Sequence, residues 1–110
     1  MTISTHVLDT SLGRPASGVV IRLLRQEGQT WIEMFSGETD GDGRVPDMRA
    51  VTGGAGSWRL TFDAGGYFQR HGVESFYTVV TIEFVVRAAD AHYHVPLLVS
   101  PFGYSTYRGS

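Results

Sequence analysis

Val80-Thr81-Ile82-Glu83-Phe84-Val85-Val86-Arg87 sets Val80, Ile82, Phe84 and Val86 against Thr81, Glu83, Val85 and Arg87 at a period of two. Successive side chains of a strand point to opposite faces, so this spacing gives one apolar face and one mostly polar one. A helix would scatter the same apolar residues around its circumference. The run therefore predicts a half-buried β-strand. Two other stretches repeat it: Val19, Ile21 and Leu23 alternate with Val20, Arg22 and Leu24, and Trp58, Leu60 and Phe62 alternate with Arg59 and Thr61. β-branched and aromatic residues dominate the inward positions, as a pleated, half-buried surface favours.

Outward from these runs, further strands are predicted at Ile3–Asp9, Thr30–Phe35, Tyr93–Val99 and Tyr104–Tyr107, with a short one near Arg44–Pro46. About eight short strands separated by turn signals predict an all-β, antiparallel sandwich. Leu12-Gly13-Arg14-Pro15-Ala16-Ser17-Gly18 separates the first two strands. Gln26-Glu27-Gly28-Gln29 is a hairpin loop, and Asp40-Gly41-Asp42-Gly43 is a tight turn in which glycine accepts positive φ. Gly53-Gly54-Ala55-Gly56 links into the Trp58 strand. Asp63 to Gly72 is the one helix expected, capped by Asp63 and ended by Gly72. Its Gly65-Gly66 pair weakens it, so tertiary contacts must hold it.

The chain has 110 residues, enough for one core, and is expected to form a single domain over residues 1–110. No apolar run approaches the roughly 20 residues that cross a bilayer. Met1 to His6 offers no basic region followed by an apolar stretch, so no signal peptide and no membrane partner are expected. With no cysteine there is no disulfide, thiol nucleophile or thiolate metal site. A cytoplasmic protein is the expectation. The net charge of −2 argues against nucleic acid as a partner. All nine cations are arginine, so every cationic contact is made by a planar guanidinium, and lysine chemistry is excluded.

Histidines stand at positions 6, 71, 92 and 94. His6 shares a strand face with Ser4 and Leu8, and His94 shares one with His92, Pro96 and Leu98. A lone strand histidine is ordinarily exposed or hydrogen-bonded. The His92-X-His94 pair places two imidazoles together, yet no Asp or Glu has an obvious third-ligand spacing, so no metal is expected. Asp40-X-Asp42-Gly43 begins like a calcium loop but has Val51 at the twelfth position and no flanking helices. The glycines at 53–56 lack the strand–helix context and the Lys-Ser/Thr of a phosphate loop. Ser57 and Ser100 have no partnered base. The C-terminal Tyr107-Arg108-Gly109-Ser110 is unusual, because most domains end in dispensable polar residues.

Three segments carry a family resemblance. Ser4-Thr5-His6-Val7-Leu8-Asp9-Thr10-Ser11-Leu12-Gly13-Arg14-Pro15-Ala16 resembles the opening signature of the transthyretin-related 5-hydroxyisourate hydrolases. Thr39-Asp40-Gly41-Asp42-Gly43-Arg44 is similar to their central Thr-X-X-Asp-Gly-Arg turn. The stretch from Tyr93 through Ser110 is similar to their closing signature, including the terminal Tyr-Arg-Gly-Ser that separates these enzymes from the hormone carriers. The resemblance spans residues 4 to 110 in order. The segment Phe76-Tyr77-Thr78-Val79-Val80 lacks the usual Pro-Glu, Val99 replaces a common Leu, and Phe102 replaces Tyr or Trp.

The resemblance implies an eight-stranded transthyretin-like sandwich with one short helix, assembled as a homotetramer (a dimer of dimers) with sites between dimers. It implies hydrolysis of 5-hydroxyisourate to 2-oxo-4-hydroxy-4-carboxy-5-ureidoimidazoline without metal or cofactor. It marks His6, Arg44 and His94 as catalytic and Tyr107, Arg108, Gly109 and Ser110 as substrate-binding. The alternative is a transthyretin-like module that binds a small ligand without catalysis.

Those residues suit that reaction. A flat, oxygen-rich bicycle must be held, a water activated and an oxyanion stabilised. Guanidinium forks match adjacent carbonyl oxygens and developing negative charge, which suits Arg44 and Arg108. A neutral histidine accepts a proton from water and passes one to the leaving nitrogen. Fixed positive charge nearby disfavours the imidazolium, so His6 and His94 are expected to have lowered pKa values. Which of the two is the base stays open at this point. Ser110 as a nucleophile is the less economical alternative, since water suffices. The Ser110 carboxylate is expected to pair with an arginine of the site.

Overall fold

In the computed structural model, which describes residues 1–87 and 91–110, Val80–Val86 is a strand with Val80 and Val86 buried and Thr81, Glu83 and Val85 exposed. Ile82 and Phe84 are half-buried on the inward face, as the period of two requires. Among the described residues ten strand segments follow in chain order: β1 (Thr2–Ser4), β2 (Val7–Asp9), β3 (Arg14–Pro15), β4 (Val20–Glu27), β5 (Thr30–Glu38), β6 (Gly56–Phe62), β7 (Val80–Val86), β8 (His92–His94), β9 (Leu97–Ser100) and β10 (Gly103–Thr106).

One sheet has the order β5-β4-β6-β7 and is antiparallel throughout. The other has the order β10-β9-β2-β3, and β1 pairs with β8 beside it. Trp58, Leu60, Phe62, Ile21, Leu23, Val7 and Leu97 fill the core and are fully buried. Each such large side chain contributes about 1.5–3 kcal/mol by leaving water.

The all-β architecture is as expected, with four differences of detail. First, β1 with β8 and β2 with β9 run parallel. Parallel neighbours need a long connection, and here most of the chain, including the whole other sheet, lies between the paired strands. Second, the expected Ile3–Asp9 and Tyr93–Val99 strands are each broken, at Thr5-His6 and Val95-Pro96. Pro96 has no N–H to give the ladder; Val95 N donates to Ser4 O at 2.9 Å and Leu97 N to His6 O at 3.0 Å across the break. Third, no strand forms at Arg44–Pro46. Arg44 makes one antiparallel bridge with His6, and Pro46 opens a 3-10 helix, Pro46–Ala50, because proline fits a first helical turn but cannot extend a ladder. Fourth, the expected turn at 12–18 instead contributes Arg14–Pro15 to the sheet.

The helix α1 (Ala64–Arg70) is capped by Asp63, whose Oδ1 accepts from Gly66 N at 3.0 Å. The Gly65-Gly66 pair is required by packing. A Cβ on Gly65 would sit 3.0 Å from Thr78 Cα, and one on Gly66 would overlap the Asp63 carboxylate. Tertiary contacts do hold this helix. Gly65 N donates to Thr78 O at 2.8 Å, and the buried Tyr67 hydroxyl donates to Asp9 Oδ2 at 2.8 Å. Asp9 also accepts from Ser11 N and Oγ and from Leu12 N. Burial works to raise its pKa, but these hydrogen bonds outweigh burial and hold the carboxyl below its ordinary value. Burial, with the Asp9 carboxylate as hydrogen-bond partner, pushes the Tyr67 phenol up to about 12. Asp9 thereby anchors β2, the strand that leaves His6.

Candidate active site

Two isolated backbone bridges place the expected catalytic residues. The first pairs His6 with Arg44. It depends on the Asp40–Gly43 turn, where Asp40 Oδ1 accepts from Asp42 N at 2.9 Å and Arg44 N at 3.0 Å. Asp40 thus serves the turn, and no calcium role is needed to explain it. Gly43 has φ +75° and donates to Asp40 O at 2.9 Å, while its own carbonyl accepts from Val7 N at 2.8 Å. A Cβ there would strike the Val7 carbonyl oxygen and come within 3.3 Å of His6 Cδ2, so only glycine closes this turn against His6.

The second bridge pairs His94 with Gly109, whose N–H donates to His94 O at 2.8 Å. A Cβ on Gly109 would lie 2.5 Å from His94 Cδ2. The tail therefore runs in direct contact with the imidazole ring. Elsewhere on the ring, His94 Nδ1 lies 2.8 Å from Oγ of Ser4, its register partner across β1 and β8.

Burial is the main cause that lowers the His94 pKa, followed by the positive charge of Arg44 and then by His92, His6 and Arg49. The expected depression is found for His94, with desolvation ahead of the arginine. A cleft of about 210 Å³ opens beside these groups, lined by Ser4, Thr5, Arg44, Val45, Pro46 and Arg49. Its lining offers two guanidinium groups, and through Ser4 it adjoins the half-buried His94 imidazole, a combination suited to holding an oxygen-rich substrate and moving one proton. Among the described residues no three His, Asp or Glu side chains converge as metal ligands.

The chain matches the model of the HIUase/Transthyretin family over residues 3–109. It belongs to that family. Within it, 5-hydroxyisourate hydrolase 2 of Rhizobium meliloti is 48% identical over 114 residues, which cover 98% of this chain and 95% of that protein. The solved structure of Klebsiella pneumoniae 5-hydroxyisourate hydrolase is 42% identical with a TM-score of 0.86, covering 99% of this chain and 93% of that one. Sea bream transthyretin in complex with thyroxine is 27% identical with a TM-score of 0.92, covering 99% and 95%. The thyroxine-bound transthyretin superposes as well as the hydrolase, so the backbone alone does not assign an activity. Side chains must.

Of the expected site residues, the fold brings His6, Arg44, His94 and Gly109 together. Tyr107 and Arg108 lie elsewhere within the chain. Tyr93 alternates with His92 and His94 along β8, and the Arg108 guanidinium sits 4.4 Å over its ring. Tyr107 and Arg108 thus line a separate apolar cavity of about 220 Å³ with Ile82, Phe84, Tyr93 and Val95. Ser110 is exposed. Sequence reasoning gave no catalytic role to Ser4, His92 or Arg49. The shared face of Ser4 with His6 and of His92 with His94 was the available signal. What joins the two faces is the parallel register of β1 and β8.

Proposed function

We propose that this chain hydrolyses 5-hydroxyisourate to 2-oxo-4-hydroxy-4-carboxy-5-ureidoimidazoline. The observation that carries the reading is the clustering of His6, bridged to Arg44, with Arg44 and His6 both near enough to His94 to disfavour its charge, in a chain whose relatives include named 5-hydroxyisourate hydrolases. In the proposed reaction one histidine takes a proton from water as its oxygen attacks the cyclic amide carbonyl. Arg44 donates to the oxyanion that develops there. The same proton then reaches the leaving nitrogen as the ring opens. No metal or cofactor takes part.

The proposal assigns Tyr107, Arg108, Gly109 and Ser110 to substrate binding. Because Tyr107 and Arg108 face away from the His94 ring, it places the working site between copies of the chain, in a homotetramer built as a dimer of dimers. Exposed Phe76, Tyr77, Val79, Phe102 and Tyr104 support assembly. Tyr77 packs edge-on to Phe76 and to Tyr104, with ring centroids 5.0 Å and 5.2 Å apart, so these three rings form one patch. The chain acts as a single domain, and a cysteine-free sequence suits the cytoplasm, where we place it.

The alternative, ligand carriage without catalysis, shares the fold and has the apolar cavity beside Tyr93 in its favour. The deciding experiment follows the ultraviolet absorbance of 5-hydroxyisourate formed in situ from urate by urate oxidase. Decay well above the spontaneous rate is expected, and decay at the spontaneous rate would leave only the carrier reading.

A further inference from the structure

Ser4, His92 and Arg49 touch the site but have no part in the reaction as written. Their geometry is specific. Ser4 Oγ lies 2.8 Å from His94 Nδ1 and 3.0 Å from His92 Nε2. Arg49 Nη2 lies 3.4 Å from the same His92 Nε2, and Thr2 Oγ1 contacts His92 Nδ1. The two imidazoles are nearly parallel, with 13° between ring planes and centroids 6.5 Å apart, and Thr2 and Ser4 on β1 register with His92 and His94 on β8.

Counting protons gives this chain a direction. A guanidinium only donates, so the His92 nitrogen facing Arg49 must present a lone pair. In the neutral ring the proton then sits on Nδ1 and is donated to Thr2 Oγ1. Ser4 carries one hydroxyl proton and has two nitrogen neighbours. If it were given to His94, the Ser4 oxygen and His92 Nε2 would face each other at 3.0 Å with no proton between them. It is therefore donated to His92 Nε2, whose single lone pair takes Ser4 at 3.0 Å as its main donor and Arg49 at 3.4 Å as the weaker arm of a three-centre bond, and His94 Nδ1 must bring its own proton to Ser4 Oγ. That leaves the lone pair of His94 on Nε2.

We propose that Arg49, His92 and Ser4 form a one-way hydrogen-bond chain that holds His94 in its Nδ1–H tautomer, with Nε2 as the proton acceptor of the reaction. The three are positioning residues and touch no reacting atom. The same logic operates in serine proteases, where a carboxylate fixes the tautomer of the catalytic histidine and its loss costs about 10⁴-fold. Here the last link is a serine hydroxyl and the polarity is imposed from two residues away by a charge. The chain thereby fits His94 for the part of the base. The tautomer assignment stands on hydrogen-bond geometry alone; its catalytic meaning rests on the hydrolase reading.

Two measurements separate these levels. Long-range proton–nitrogen correlation spectra of the nitrogen-labelled full chain, at about pH 8 where imidazoles are neutral, report the tautomer without substrate. His94 is expected with Nδ1 protonated and Nε2 bare. Ser4→Ala and Arg49→Met are expected to move it towards the Nε2–H form, and Ser4→Thr to keep the original tautomer. In turnover assays Ser4→Ala is expected to lower kcat at least about 10-fold at constant KM, with Ser4→Thr restoring it, judging by the size of general-base contributions. Nε2–H in the parent protein, or a tautomer unmoved by both Ser4→Ala and Arg49→Met, overturns the chain even if hydrolysis is observed. The expected tautomers in a protein that does not hydrolyse 5-hydroxyisourate uphold the chain and overturn the reading of function instead.

Discussion

Replacing Gly109 by alanine tests whether contact between the tail and His94 matters for catalysis. The backbone of Gly109 is not in the left-handed region, so alanine is acceptable there on conformational grounds. The contact is the obstacle. The new methyl carbon would stand 2.5 Å from His94 Cδ2 and 3.2 Å from Cγ. Carbon atoms rest about 3.5–4.0 Å apart, so one partner must move by about 1 Å. The ring is held by Ser4 on Nδ1 and by its place on β8, whereas Tyr107, Arg108 and Ser110 are exposed. The tail should therefore lift, losing the 2.8 Å bond from Gly109 N to His94 O. A displacement of about 1 Å in a site can cost about 100-fold in rate, or about 2.7 kcal/mol of transition-state stabilisation. The lost bond is worth about 1 kcal/mol of stability, which for a domain of this size lowers Tm by about 5 °C. Gly109→Ala is thus expected to reduce kcat/KM about 100-fold with only a small shift in Tm, both read at one protein concentration because assembly affects Tm. A kcat/KM within about 3-fold of the parent would refute the role given to the tail.

Three further outcomes follow from the site and its supports. His94→Ala should lower kcat by about 100-fold or more as a lost base, and His6→Ala by a comparable factor if it orients water or substrate, with near-parent kcat in both variants counting against the assignment. Because burial and then the Arg44 charge depress the His94 pKa, hydrolysis should persist below the ordinary imidazole range and fall only as acid protonates His94. Arg44→Ala should move that acid limb to higher pH and lower kcat about 100-fold through the lost oxyanion donor; an unmoved limb would remove Arg44 from the electrostatics of His94. Tyr67→Phe should cost about 1.5–3 kcal/mol in urea denaturation, since it strips a hydroxyl from a buried carboxylate. The phenol's raised pKa gives stability that is complete below about 10 and lost as pH rises through about 12, so this alkaline loss should be absent from the variant. The depressed Asp9 pKa adds stability above the ordinary carboxylate range that is lost in acid, and this loss should be smaller in the variant.

The strands were legible because their signal is local. Val80 to Val86 shows its buried face by alternation alone, and Asp63 and Gly72 mark the ends of α1 by their capping chemistry. The breaks were half legible. Pro96 forbids a continuous strand, but nothing near His6 announces that the matching strand breaks there too; the second break answers the first through the parallel register. The Gly65-Gly66 pair was visible as a weakness, whereas the Thr78 backbone that leaves no room for a side chain at Gly65 lies about a dozen residues away. For the site, motif resemblance found the residues joined by the two backbone bridges, His6 with Arg44 and His94 with Gly109. It gave no role to Ser4, His92 and Arg49, because their arrangement depends on a register between residues 2–4 and 92–94 that no local pattern specifies.

That register also explains how one fold supports two kinds of function. Sea bream transthyretin and the Klebsiella hydrolase superpose on this chain about equally well, so strand pairing supplies positions and leaves chemistry to whatever occupies them. In this chain the occupied positions are the ends of short segments: Ser4 and His94 where β1 and β8 stop, His6 and Arg44 at a single bridge, Gly109 just beyond β10. A side chain at such an end faces a cleft, while its backbone is fixed by the ladder beside it. The break at Thr5-His6, which costs ladder hydrogen bonds, and the turn into Pro46 flank the 210 Å³ cleft beside Arg44. An unbroken Ile3–Asp9 strand would turn His6 into one more residue of a sheet face, and the same sequence of strands would then have a place for a ligand but none for a base.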